Sequence, residues 1–168
     1  IVHCMVKYLG YKEADIHKKP FSTPEKTPDH ILVSTYVGAQ SRGMKLAAPQ
    51  SHPKERLAFA TGREIFNYRA GPYDFSCATC HDSDNLRIRT QDLPNLTKPD
   101  GAMKASQGHP TYRLTGGFMF TQNMRLNDCY RQQRFPEPGY LSDSLIALLT
   151  YMTATANGQV YNGPGIKR

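Results

Sequence analysis

Cys77-Ala78-Thr79-Cys80-His81 is the stretch on which the fold turns. A C-x-x-C-H run is the attachment signature of c-type haem: each cysteine sulfur adds to one vinyl group, and the adjacent histidine reaches the iron. The spacing is tight because two thioethers and one Fe–N bond must meet on one rigid macrocycle. A redox dithiol or half of a zinc site are the competing readings. Zinc would need a second Cys/His pair at ligand spacing, and the remaining cysteines, Cys4 and Cys129, are far apart in the chain.

Around the motif, the order of elements follows a class I cytochrome c. Lys54 to Tyr68 reads as a helix, with Leu57, Ala58, Ile65 and Phe66 on one side. Gly62 would let another helix cross closely, with Tyr151 as the natural aromatic partner. Residues 82–118 are rich in Pro, Gly, Asn, Asp and Thr, and read as loops wrapped over haem. Phe118 to Tyr130 is expected to carry the far side of the pocket. A helix over 143–157 closes the domain.

Two segments resemble each other at an offset of 115 residues: DHILVSTYVGAQSRGM from Asp29 and SLIALLTYMTATANGQ from Ser144. Ile31 matches Ile146, Tyr36 matches Tyr151, and Gly43 matches Gly158. Both read as amphipathic helices. Pro28 suits a first helical position, Ser142 an N-cap, and the two glycines a left-handed C-terminal residue. Chance likeness is the bland alternative; a tandem repeat is favoured. The expected fold class is therefore mainly α. Residues 49–168 would form a haem-binding, class I cytochrome c-like domain. Residues 1–48 would be the remnant, or C-terminal part, of a second cytochrome c-like domain whose start is missing from this sequence or was lost in the lineage.

The 168 residues carry a formal charge of +7, with 39% hydrophobic residues and no tryptophan. The pI is near 9.3 and the mean hydropathy −0.58. No apolar run approaches the ~20 residues a bilayer span needs. Lys and Arg are scattered without interleaved aromatics, which argues against nucleic acid. The positive balance suits haem propionates, and also an anionic substrate or an acidic partner. The chain opens at Ile1 with no charged-then-apolar leader, so a removed signal peptide or a late start is expected. Attachment of c-type haem occurs outside the bacterial cytoplasm, which implies a periplasmic location.

Several side chains compete for the second axial position. Cys129 is a candidate thiolate ligand, which would lower the reduction potential relative to methionine. It could equally be a buried free thiol or a disulfide partner of Cys4. Met103, Met119 and Met124 are rival ligands or packing material. Arg125 precedes Cys129 by four residues and shares its face if the stretch is helical. There it could steady an anion and favour thiolate, or pair with a propionate. Tyr112 and Arg113 are candidate propionate partners. His109 reads as an exposed loop residue or, less favoured, as a base supporting the site.

Beyond these readings, the C-terminal 140 or so residues resemble the A subunit of the sulfur-oxidation cytochrome complex, SoxAX. The likeness rests on SRGM at 41–44, GREIFNYRAG at 62–71, FSCATCHD at 75–82 and SQGHPTYRL at 106–114. Cys129 with an arginine four residues before it, and ANG at 156–158, complete it. The resemblance implies a heterodimer with a smaller SoxX-type haem subunit. It implies oxidative joining of thiosulfate to a cysteine of a SoxYZ-type carrier protein, the activity of an L-cysteine S-thiosulfotransferase, with electrons leaving to a cytochrome c acceptor. One covalently attached haem c is expected in this chain. His81 would be its proximal ligand, Cys129 the distal ligand and catalytic sulfur, and Arg125 the substrate-facing cation. The chain departs from the family in three places. The beginning of the first domain is absent, the loop at His109 is shorter, and Asp128 sits beside the cysteine. The rivals are a thiosulfate dehydrogenase forming tetrathionate and a simple periplasmic electron-transfer cytochrome c.

Overall fold

The computed structural model describes residues 1–88, 90–106 and 108–167. The elements run α1 (Val2–Leu9), α2 (Glu13–Lys18), α3 (Asp29–Gln40), α4 (Pro53–Asn67), α5 (Cys77–His81), β1 (Arg87–Ile88), β2 (Gln91–Asp92), α6 (Pro99–Ser106), β3 (Thr111–Arg113), β4 (Phe118–Phe120), α7 (Gln122–Gln132), α8 (Asp143–Thr155) and β5 (Gly165–Lys167). Helix dominates, as the sequence leads one to expect. Among the described residues no helix is long and apolar enough to cross a membrane.

The α4–α8 crossing is the centre of the fold. His52 starts α4 with a capping box. Its Nδ1 accepts from Lys54 N at 3.2 Å, and its own N–H donates to Glu55 Oε2 at 2.8 Å. Pro53 then occupies the first helical position, where its missing N–H costs nothing. Gly62 meets α8 so closely that a Cβ built there would lie 2.0 Å from Ala147 O and 2.8 Å from Tyr151 Cβ. The Tyr151 ring then fills the space beside the crossing, 5.3 Å from both Phe59 and Phe66. Phe66, Leu145, Leu148, Tyr151 and Met152 form one core with Ala78, Leu96 and Leu126. Ala78 lies inside the Cys77–His81 turn, so burying it anchors the motif to the helix pair. Leu57, expected on the inner face, is 66% exposed. The packing stripe is instead Phe59, Gly62 and Phe66, whose spacing of three and four residues puts them on one side of the helix.

Residues 82–118 are more regular than their composition suggests. They hold the β1–β2 hairpin, the helix α6 and the strand β3. The Pro and Gly of α6 read as breakers, but Pro99 sits at the helix start. Gly101 is required by a close approach, since a Cβ there would be 1.8 Å from Asn95 O. β3 pairs antiparallel with β4 and parallel with β5.

The two similar segments do become helices, α3 and α8. Pro28 and Ser142 are the N-caps, and Gly43 and Gly158 are both left-handed at φ 87° and 84°. Pro28 therefore sits one residue before the first helical position. The segments that follow pair with each other: Gly43 N donates to Tyr161 O at 2.8 Å and Tyr161 N to Met44 O at 2.9 Å. Matched residues differ in burial. Tyr151 is in the core while Tyr36 is 68% exposed, and Ile31 is buried while Ile146 is 43% exposed.

Candidate functional site

Ser76 begins α5 by accepting from Thr79 N at 3.2 Å, while Thr79 Oγ1 accepts from Ser76 N at 3.0 Å. This reciprocal cap fixes the first turn, so Cys77 and Cys80 project from one short, rigid helix. His81 follows in the last position. Its Nδ1–H donates to Pro94 O at 2.8 Å, and Leu96 N donates to His81 O at 2.7 Å. A proton committed to Nδ1 leaves the Nε2 lone pair free to bind a metal, the usual way a ligating histidine is oriented. Burial lowers the His81 pKa, the Pro94 carbonyl opposes that, and the Arg125 charge lowers it further.

The stretch carrying Arg125 and Cys129 is the helix α7, capped by Thr121 Oγ1 accepting from Met124 N at 3.1 Å. Asn123, Leu126 and Asn127 form its buried face. Arg125 and Cys129 lie on a half-buried flank. Burial pushes the Cys129 thiol up and Asp128 adds to this, while Arg125 and Arg113 pull it down. The same groups link the two helices. Cys80 bears on Cys129, and Cys129 bears on Cys77, whose thiol burial raises to about 11. Asp128 is spoken for: Oδ2 accepts from Arg125 Nη1 at 2.6 Å and from Gln132 at 2.9 Å, and Oδ1 pairs with Arg131. The acidic neighbour thus holds the guanidinium in place. Cys4 is exposed, and all four cysteines are free.

The small sheet supplies the third wall. Alternation along β3 places Thr111 and Arg113 on one face, with Phe118, Phe120 and Lys167 as their register partners. The Arg113 guanidinium lies 5.3 Å over the Phe120 ring, and its charge reaches Arg125, Asp128 and Cys129. Tyr112 points to the other face, 39% exposed, beside Met119 and Ile166. The sheet therefore separates Tyr112 from Arg113, although they are adjacent in sequence. Met103 packs with Ala102 and Ala156 in a second core cluster.

His109 is half-buried, not an exposed loop residue. Its Nδ1 and Nε2 are both shut off from solvent, with the backbone of Ala105 and Ser106 as their neighbouring hydrogen-bonding groups. Burial, then Lys167, drives its pKa down to about 3.

The donor set suits a c-type haem. Two thiols stand on one capped turn, an oriented imidazole follows, and a third thiol comes from a separate helix. Among the described residues no three His, Cys, Asp or Glu side chains gather as a site for a bare metal ion. Zinc would need four ligands gathered around one point, whereas these residues are the donors a c-type haem would use. A cavity of about 370 Å³ beside α1, α3 and Tyr140 contains none of these groups. Sequence reasoning missed Pro94, which has no side-chain signature, and Lys167, which only the β3–β5 pairing brings in.

A mainly helical fold built around a C-x-x-C-H turn is that of the cytochrome c class. No family model matches the chain. It is similar along its whole length to the "L-cysteine S-thiosulfotransferase subunit SoxA" of Hydrogenophilus thermoluteolus. The two are 45% identical over 168 residues, which is 61% of that protein. A protein of the same name from Hydrogenobacter thermophilus is 36% identical over 169 residues, 60% of its length. The fold matches a chain in the crystal structure of SoxXA from P. pantotrophus with a TM-score of 0.75 at 24% identity, covering 96% of this chain and 56% of that one. The chain is a homologue of SoxA subunits and spans about three-fifths of the length of the curated relatives it matches.

Proposed function

We propose that this chain is the haem-bearing, catalytic part of a SoxA-type L-cysteine S-thiosulfotransferase. The observation that carries the reading is the placing of Arg125 and Cys129 on one flank of α7, with Cys129 within electrostatic reach of the Cys77–Cys80 turn. Cys77 and Cys80 would hold one haem c through thioethers. His81 Nε2 and the sulfur of Cys129 would be the protein donors to its iron. Arg113 would serve a haem propionate, with Tyr112 on the outer side of the same strand. When bound, the haem supplies a one-electron acceptor and keeps the coordinating sulfur deprotonated.

Thiosulfate binds with its sulfonate on Arg125, whose planar fork suits an oxyanion. Its outer sulfur is thereby set against Cys129. The Cys129 thiolate and that outer sulfur join in an S–S bond as two electrons leave to the cytochrome c acceptor; the carrier's cysteine thiolate then attacks the outer sulfur, forming the carrier S–S bond and releasing Cys129 as thiolate. Overall, a carrier thiolate and the outer sulfur of thiosulfate form one S–S bond, and two electrons pass to a cytochrome c acceptor. A SoxX-type partner haem would accommodate the second electron. The carrier is a SoxYZ-type protein, and the setting is the periplasm.

For the domains, residues 49–168 form the class I cytochrome c-like unit, and residues 1–48 are the end of a second such unit. The reciprocal pairing of the segments after α3 and α8, and their matching left-handed glycines, support this.

Low-temperature EPR of the oxidised holoprotein tests the ligand set: a low-spin thiolate–histidine signal is expected. A methionine–histidine or bis-histidine signal would reduce the chain to an electron carrier. Cys129→Ala should keep covalent haem and lose thiosulfate transfer to the carrier. Tetrathionate formed without any carrier would instead indicate a thiosulfate dehydrogenase.

A further inference from the structure

One turn grips His81 twice. The ring donates Nδ1–H to Pro94 O at 2.8 Å, and the backbone oxygen accepts from Leu96 N at 2.7 Å. Those two groups belong to the peptide units on either side of Asn95. A rotation about either backbone bond at the Asn95 Cα would swing one of them away from the histidine. The conformation of this single residue therefore decides whether both bonds to His81 form together.

Asn95 is buried, and its side chain is tied down through both amide atoms. Oδ1 accepts from Thr97 N at 3.0 Å and from Thr97 Oγ1 at 2.6 Å, which uses both of its lone pairs. Nδ2 donates to Asp84 Oδ1 at 3.1 Å, and the other Asp84 oxygen pairs with Lys98. Asp84 stands just after the haem motif in the chain. The Asn95 amide thus joins the segment leaving His81 to the turn that comes back to it. The carbonyl of Asn95 is closed in by α6, where a Cβ at Gly101 would lie 1.8 Å away. The scheme above gives Asn95, Thr97 and Asp84 no part.

We propose that Asn95 is a positioning residue for the histidine ligand: its side-chain amide holds the Pro94 carbonyl on His81 Nδ1–H and so helps to set the reduction potential of the haem. The proposal rests on His81 being a haem ligand. A histidine whose far N–H is held by a carbonyl is the more basic donor, and a more basic donor favours ferric over ferrous iron. Asn95 touches neither iron nor substrate; it acts through Pro94 and His81. Loosening it raises the potential while leaving Arg125 and Cys129 in place on α7.

The test uses the haem-loaded protein with Asn95→Leu, which keeps size and neutrality but makes none of the three side-chain bonds. Asn157→Leu is the matched control, since Asn157 bonds the N–H and the carbonyl of Ala48 at 2.7 and 2.9 Å instead of any group around His81. The haem midpoint potential, the unfolding midpoint and KM for thiosulfate are measured. Asn95→Leu is expected to raise the potential by the equivalent of about a tenfold loss of ferric preference, about 59 mV for one electron, with KM within about twofold. Asn157→Leu should lower the unfolding midpoint and leave the potential alone. Where Asn95→Leu takes up no haem, Asp84→Ala and Asp84→Asn decide. Both remove the charge and only asparagine keeps an acceptor for Asn95 Nδ2, so alanine should raise the potential further. An unchanged potential in Asn95→Leu, an equal rise in Asn157→Leu, or equal potentials in the two Asp84 variants overturns the proposal. So does a KM raised alongside the potential, which would mark a general loosening of the site. A wild type whose EPR signal lacks histidine ligation sinks the haem assignment and the proposal with it; with that ligation intact, the potentials judge Asn95 alone.

Discussion

Replacing Gly62 by alanine opposes two rules of helix energetics. Intrinsic propensity favours alanine over glycine inside a helix by about 1 kcal/mol. The structure argues the other way. The added methyl would sit 2.0 Å from Ala147 O and 2.6 Å from Ala147 C, about 1 Å inside the closest approach such a group tolerates. Both opposing atoms are helical backbone, so no side chain can swing aside. Relief requires α4 and α8 to separate, which loosens Tyr151 from Phe59 and Phe66. Overpacking of this kind costs about 1–3 kcal/mol and occasionally more. Because backbone is involved, the upper end applies, leaving a net destabilisation of about 2 kcal/mol after the propensity gain. Guanidinium titration of haem-loaded wild type and Gly62→Ala, followed by far-UV circular dichroism, reads this as a lower midpoint at an unchanged slope. A midpoint raised by the equivalent of about 1 kcal/mol would refute the reasoning. It would mean that helix propensity, not the crossing, governs this position.

Arg125→Lys keeps the charge but loses the fork and its 2.6 Å bond to Asp128; KM for thiosulfate should rise about tenfold in carrier-conjugation assays. Ser76→Ala removes one half of the α5 cap and should cost about 1 kcal/mol in denaturant titration, without preventing haem attachment. His109 supplies a pH dependence. Its folded pKa of about 3 lies below its ordinary value, so between these the unfolded chain binds the extra proton. Stability therefore rises with pH through that window. Acidifying from pH 7 to pH 5 should cost about 2 kcal/mol at this residue. His109→Phe should flatten that part of the curve, and identical acid slopes in the two proteins would contradict it.

The amino-acid sequence by itself determined the parts of this protein whose chemistry is local. Cys77, Cys80 and His81 lie within one helical turn, so their spacing in the chain is their spacing in space. Arg125 and Cys129 are four residues apart, and helix geometry alone puts them on one flank once α7 forms. Gly62 was legible for the same reason: a glycine amid apolar residues of a helix marks a crossing. Tertiary structure decided what depends on distant segments. Lys167 stands beside Arg113 only because the strand after α8 pairs in parallel with β3, and no local pattern announces that partner. Tyr112 and Arg113 are neighbours in sequence yet point to opposite faces, since side chains alternate along a strand. Pro94 orients His81 through a carbonyl, which every residue possesses. His109 reads as a polar loop residue. Its backbone carbonyl is held by Tyr161, from the segment after α8, a partner that no local pattern announces.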